Sequence, residues 1–295
     1  MGYFSRFLLF SFILSFHFQL LGQEQVNNSP SEAFKSYWFS GSAEISSYDL
    51  EQARYGEIHS GTAVLIFVTE PFSSKEQVKV DKVGDSDVPV LKLNYEKKFN
   101  TGIYPYSMMT SSFLPLEIGH LIKLTSSSQD WCGHTFMQLN NRSEYELSSY
   151  SYFQSQGDQD LQLSKDWLED EIWSLIRLNP KNIPVGSIKM IPSFFYLRLS
   201  HNSIKSYTAN IELVDGESNA QIVKIVYPEL NRSLEIEFDC SFPYSILSWE
   251  ETYVSGWGKS AKMLTTKARK KKSIKVDYWN KHKVEDSYWR KELGL

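Results

Sequence analysis

Ser233–Cys240 reads SLEIEFDC, and its period decides the fold. Leu234, Ile236, Phe238 and Cys240 alternate with Glu235, Glu237 and Asp239. Residues two apart share one face of a strand, so the pattern specifies a strand with one buried and one wet face. The same rhythm continues on both sides. Upstream, TANIELV (208–214) sets Ala209, Ile211 and Leu213 against Asn210 and Glu212. Asp215-Gly216 then gives a hairpin signal, and QIVKIVY (221–227) runs to a reversal at Pro228 to Asn231. Downstream, ILSWEETYV (246–254) and SAKMLTTKA (260–268) flank Gly256-Trp257-Gly258. Strands and turns at this spacing predict an antiparallel meander.

The first half follows the same scheme. Residues 42–72 read as a strand, a turn at Gly56 to Gly61, in which His59 is a solvated turn residue, and a second strand. Ala63 to Val68 is apolar at every position, which calls for cover on both faces. Further strands fit Val88–Leu93, Tyr104–Leu114, Leu121–Ser126, Thr135–Leu139 and Glu144–Phe153. One segment, SKDWLEDEIWSLIRLNP (164–180), has helical period instead. Ser164 is its expected cap, acids Asp166, Glu169 and Asp170 fall early, and Leu168, Ile172, Leu175 and Ile176 form one stripe. A helix over about 165–178 follows, and a short one near Val284–Leu293 closes the chain. The expected fold is mainly β: a large curved antiparallel sheet, a half-barrel or open-barrel meander, with one amphipathic helix packed against it. The arrangement is similar to the half-barrel of periplasmic lipoprotein carriers.

Residues 1–22 have the layout of a secretory signal peptide: Arg6, an apolar run from Phe7 to Leu21, and a small-residue exit at Gly22. The run is shorter than the ~20 residues a spanning helix needs. Gln23 stands where a lipoprotein signal would have cysteine, so the exported chain is expected to be unlipidated and periplasmic or associated with an outer membrane. A polar leader, 23–33, precedes a β-rich domain at 34–295. The net charge of −4 gives no broad electrostatic reason to bind nucleic acid. Gly258-Lys259-Ser260 lacks the upstream glycine of a phosphate-binding loop, because Tyr253 stands there, so no nucleotide and no cofactor are expected. The aromatic share of 15% suits pleated, half-buried surfaces.

SQDWCGHTF (128–136) is the first candidate for chemistry. In an extended chain Cys132 and His134 share a face about 6.6 Å apart, close enough for an imidazole to activate a thiolate, with Asp130 orienting the histidine. Two readings compete with that one: quiet buried thiols, and a disulfide from Cys132 to Cys240. The disulfide would close a loop of roughly a hundred residues and be worth up to ~4.7 kcal/mol. Two ligands without a second pair are no zinc motif, so no metal is expected. Tyr104, Tyr106 and Met108 alternate onto one face and, with Trp131, could line an adaptable pocket for an acyl chain, or simply be core. Ala268 followed by Arg269, Lys270, Lys271 and Lys272 reads either as a contact for anionic lipid headgroups or as a solvated hairpin tip.

YGEIHSGTAVLIFVTEPFS (55–73), KKFNTGIYPYSMMTSSFLP (97–115), SQDWCGHTFMQLNNR (128–142) and IPSFFYLRLSH (191–201) together carry a resemblance. They resemble a family of exported Bacteroidetes proteins of unknown role, often labelled septum formation inhibitor Maf. True Maf proteins look like intracellular nucleotide pyrophosphatases with an SPRR-type segment near the start, which this sequence lacks, so the resemblance implies export and not pyrophosphatase activity. The functional expectation is a non-catalytic cell-envelope protein binding an apolar ligand, such as a lipid or lipoprotein-like molecule, or an envelope partner. The alternatives are a Cys132/His134 hydrolase or transferase and a structural subunit of an outer-membrane complex.

Overall fold

A computed structural model describes Gly2 and residues 31–117 and 119–295. The signal-peptide reading and most of the leader lie outside the described residues. From Ala43 to Leu163 the chain is an unbroken up-and-down meander. Its strands are β1 (Ala43–Arg54), β2 (Glu57–Ser73), β3 (Asp87–Thr101), β4 (Tyr104–Pro115), β5 (Lys123–Asp130), β6 (Gly133–Asn141), β7 (Tyr145–Ser151) and β8 (Gln159–Leu163). A second meander follows: β9 (Trp167–Leu168), β10 (Gly186–Ile191), β11 (Tyr207–Asp215), β12 (Ala220–Tyr227), β13 (Arg232–Asp239), β14 (Ile246–Ser255) and β15 (Lys262–Val276). β15 returns to pair with β1, fusing both halves into one 15-stranded sheet in the order β8 to β1, then β15 to β9. SLEIEFDC is β13 to its last residue but one, with alternating burial.

The sheet curls without closing. Its two edges are β8 and β9, joined only by Ser164-Lys165-Asp166. Four Cα steps span at most about 14 Å, so the edges approach at that corner although no ladder joins them. α2 (Glu169–Leu178) passes through the interior between β9 and its parallel neighbour β10. α3 (Phe194–Ser200) fills the space above it, and α1 (Glu32–Trp38) packs Phe34 and Trp38 into the same core. The centre of that core is aromatic: Tyr95 lies 5.1 Å from Trp173, 5.1 Å from Phe195 and 5.5 Å from Trp249. Such contacts add ~0.5–1.5 kcal/mol each beyond area burial, and these tie α2 and α3 to β3 and β14.

α2 departs from the expected surface helix. Nine of its ten residues are buried, acids included, so no face is left for water. Each charge instead has a partner on the surrounding shell. Arg232 forks onto Glu169 at 2.5 and 2.6 Å, and Tyr227 donates to the same carboxylate at 2.8 Å. Asp170 accepts from Ser193 Oγ and the Phe194 amide, both at 2.9 Å. Glu171 accepts from the amides of Leu121 and Leu168, each at 3.0 Å. Arg177 forks onto Glu44 at 2.5 and 2.6 Å. The expected cap is corrected too: Ser164 does not cap the helix, which starts at Glu169, because Trp167 and Leu168 are drawn into a bridge with Met190 and Ile191.

Other sequence readings shift for local reasons. Ser31, placed in the leader, caps α1 by accepting from the Phe34 amide at 3.1 Å. The first hairpin turns at Tyr55-Gly56, both with positive φ (55° and 80°), as a two-residue primed turn requires. His59 and Gly61, read as turn residues, belong to β2. At Gly61 the backbone of β3 comes so close that a Cβ would lie 2.2 Å from the Lys98 carbonyl oxygen, so close approach, not a turn, calls for glycine. Ala63, Leu65 and Phe67 join the main core. Val64 and Val68 are buried on the outer face with Val276 and Leu293, beneath the C-terminal α4 (Tyr288–Glu292) and the residues around it. The basic run is no hairpin tip: Arg269 to Lys272 lie within β15 beside β1, where Lys271 is the extra residue of a bulge.

Candidate functional site

Antiparallel alternation brings the turns after β1, β3, β5, β7 and β14, together with the C-terminal end of α3, to one end of the shell. Four large side chains stand out from these loops: Ile103 (82% exposed), Trp131 (68%), Tyr152 (74%) and Trp257 (52%). An apolar rim of this kind is unusual on loops, which are ordinarily polar.

Below the rim lies a cationic and phenolic layer. Arg54 is buried and donates from Nη1 to the Leu199 carbonyl at 2.6 Å, and from Nη2 to the hydroxyls of Tyr55 and Tyr106, each at 3.3 Å. Tyr55 and Tyr106 share a hydroxyl contact of 2.7 Å, and Tyr104 donates to Tyr55 at 3.1 Å. Tyr106 stacks on Phe99 at 4.8 Å. The Arg54 guanidinium lies 4.2 Å from the Tyr55 ring and 5.4 Å from Trp257. Burial raises the pKa of all three phenols, so they hold their protons as donors. Two cavities flank the end of α3. One, about 350 Å³, lies against β6, β7 and β8. The other, about 270 Å³, lies under Trp257 between Arg54 and the turn after β12.

The Cys/His candidates do not assemble. Asp130 pairs with Gly133, so Trp131 and Cys132 are the two turn residues of the β5–β6 hairpin and Cys132 is off the strand. Asp130 points inward, accepts the Cys132 amide at 2.7 Å and lies 3.8 Å from Arg198. His134 points outward, exposed. A hydrogen bond to Asp130 pushes the Cys132 thiol pKa up, the opposite of an activated thiolate. Cys132 and Cys240 are both free thiols, Cys240 lying just past β13. Tyr104, Tyr106 and Met108 do share the inward face, but Tyr106 and Met108 are buried core. Among the described residues no three His, Cys, Asp or Glu side chains converge as a metal site.

Sequence reading named Tyr104, Tyr106 and Trp131 at this end but missed four other residues that shape it. Arg54 and Trp257 come from separate hairpins, Arg198 and His201 from the end of α3, and the three stretches meet only through the shell. One signal was available: Arg198 is the lone charge in FFYLRLS, an otherwise apolar run. No protein-family model, curated protein or solved structure matches this chain.

Proposed function

We propose that this is an exported, non-catalytic cell-envelope protein, of the family its sequence blocks resemble, which binds a ligand or envelope partner at the loop end of its shell. The observation that carries this reading is the rim of Ile103, Trp131, Tyr152 and Trp257 above two cavities. α2 and α3 occupy the interior with side chains, so the occupant meets the rim and cavities and not a greasy lumen. The apolar rim suits the hydrophobic part of a lipid-like ligand or the anchor of a partner. The outward charges of Arg269, Lys271 and Lys272 offer a second, weaker contact for anionic headgroups.

A photo-crosslinking residue at Trp131 tests the proposal against the same residue at Val185, which is exposed just beyond the single 3-10 turn Pro180–Asn182 at the opposite end. Irradiation in an envelope fraction should give discrete adducts at position 131 and none at 185. Equal labelling at both positions, or turnover of a defined substrate by the pure protein, would overturn it.

A further inference from the structure

Arg198 is the buried arginine that no hydrogen bond to a described residue holds. Among the described residues four arginines are at least nine-tenths buried: Arg54, Arg177, Arg198 and Arg232. Arg177 forks onto Glu44 and donates to the Pro243 carbonyl; Arg232 forks onto Glu169 and reaches Glu251. Arg54 has a carbonyl and two phenols. Arg198, 4% exposed, makes no hydrogen bond to any described residue. Its Nε and Nη1 are without partners, and Nη2 stops 3.8 Å from Asp130. The ring of Phe153, 4.9 Å from Cζ, is a weak substitute for a carboxylate. A guanidinium taken out of water without hydrogen bonds is costly, and a fold retains such a group where something else repays it.

The cavity of about 350 Å³ that Arg198 lines supplies the rest of a site. Its sheet wall is polar near the rim, with Thr135 beside Ser151 and Ser149 beside Gln159 on paired strands. Met137, level with Ser149, and Leu161, one pair deeper than Gln159, add apolar surface. The local field is positive, because Arg198 feels the charge of Arg54 as well as the carboxylate of Asp130, which lies 3.8 Å away. Burial, then the charges of Arg198 and Arg54, hold the His201 imidazole on the same cavity down to about 4, so it is neutral at pH 7.

We infer that this cavity binds a small hydroxylated organic anion, its carboxylate or phosphate clasped by Arg198 and its hydroxyls met by the serine, threonine and glutamine side chains of β6, β7 and β8. The guanidinium fork matches either oxyanion, and the volume falls at the lower end of small-molecule sites, ~300–1,000 Å³, which suits a monosaccharide-sized body. The inference rests on the loop end being a binding mouth and specifies what enters it.

Calorimetric titration of the full exported chain with glucuronate, glucose 6-phosphate, glucose and inorganic phosphate tests it. At least one of the two sugar anions should bind about tenfold or more tighter than glucose, a gap of ~1.4 kcal/mol, and the pair distinguishes carboxylate from phosphate ester. Arg198→Met should erase that preference, and Arg198→Lys should retain part of it. Bound anion should raise the His201 pKa, read by NMR titration. Arg198→Met should also keep a urea midpoint close to wild type, since no hydrogen bond is lost, the Asp130 contact is long at 3.8 Å, and Asp130 keeps the Cys132 amide. A destabilised Arg198→Met makes Arg198 a structural group and overturns the inference. Equal binding of glucose and both anions, an anion affinity unchanged in Arg198→Met, phosphate binding as tightly as the sugar anions, or no binding tighter than about 1 mM does the same. Crosslinking at Trp131 without anion binding would leave the proposed function standing and remove only this ligand class.

Discussion

Arg177→Met removes the link between α2 and β1, and its effect on stability should depend on pH in a way that packing loss cannot imitate. Glu44 is 2% exposed and Arg177 1%, so the pair is out of water. The fork leaves Glu44 with one other hydrogen bond, from the Tyr37 hydroxyl. Burial opposes ionisation of Glu44, yet the Arg177 charge and hydrogen bonds outweigh it and hold the carboxyl below its usual range. In wild type this group therefore stabilises the fold above pH ~4.5, and the contribution is lost as pH falls through the lowered folded pKa. With methionine at 177 the carboxylate stays buried without its counter-charge, at a cost of about 3–5 kcal/mol at pH 7. Burial, the largest influence, is then opposed only by the Tyr37 hydrogen bond and the Lys270 charge and raises the Glu44 pKa, so protonation relieves the strain. At pH 5 the cost should fall toward the packing remainder over Trp38 and Phe67, about 1–2 kcal/mol. Glu44→Gln, by contrast, strands a guanidinium that cannot lose its proton, so its cost should not vary over that range. The double variant should cost several kcal/mol less than the sum of the singles. Urea midpoints at pH 7 and pH 5, with unchanged m-values, measure all three. Additive singles, or an Arg177→Met cost that is flat with pH, would refute the argument.

Two further predictions concern the same interior and the mouth. Asp170 is held up to about 7 by burial, against the Phe194 hydrogen bond. A raised acid stabilises the fold fully below its unfolded pKa near 4 and loses that contribution as pH rises through 7, about 4 kcal/mol for roughly three units. The wild-type midpoint should therefore fall relative to Asp170→Asn between pH 4.5 and pH 7.5; parallel profiles would count against it. Gly56→Ala should cost more than ~1 kcal/mol, because φ is +80° and its Cβ would lie 2.2 Å from the Ser260 carbonyl oxygen. A thermal melt within ~0.5 kcal/mol of wild type would show that the two turns do not touch.

What could be read from the chain was whatever depended on the nearest two or three neighbours. Alternation in 233–240 identified a strand because one face is dry, and six consecutive apolar residues at 63–68 identified two dry faces. Contacts from far along the chain were invisible. Glu169, Asp170 and Glu171 have the composition of an ordinary solvated first turn. Their partners sit at positions 232, 193 and 121, so nothing nearby in sequence marks them as buried. Gly61 looked like punctuation because its true neighbour is Lys98. Cys132 and His134 looked paired on the premise that the chain is extended from Cys132, whereas Cys132 is itself a turn residue. The mouth was the least legible feature, since its residues come from the ends of many strands and become neighbours only when β15 reaches β1.

The polar links of α2 explain how a sheet that never closes can hold a defined opening. No ladder joins β8 to β9, so hydrogen bonding alone does not fix the curvature of the shell. α2 reaches β1 through Glu44, β13 through Arg232, the approach to β5 through the Leu121 amide, and the start of α3 through Ser193. The three attachments to the shell lie on well-separated parts of the sheet order, and all four are directional in a way that apolar packing is not. The Ser193 link sets the position of α3, whose far end carries Arg198 and His201 into the mouth. The three arginines that are held maintain the shell or its opening, and the fourth is placed by the same framework without being consumed by it. A change in the α2 network should therefore reach the loop end through α3, even though Arg177 touches neither cavity.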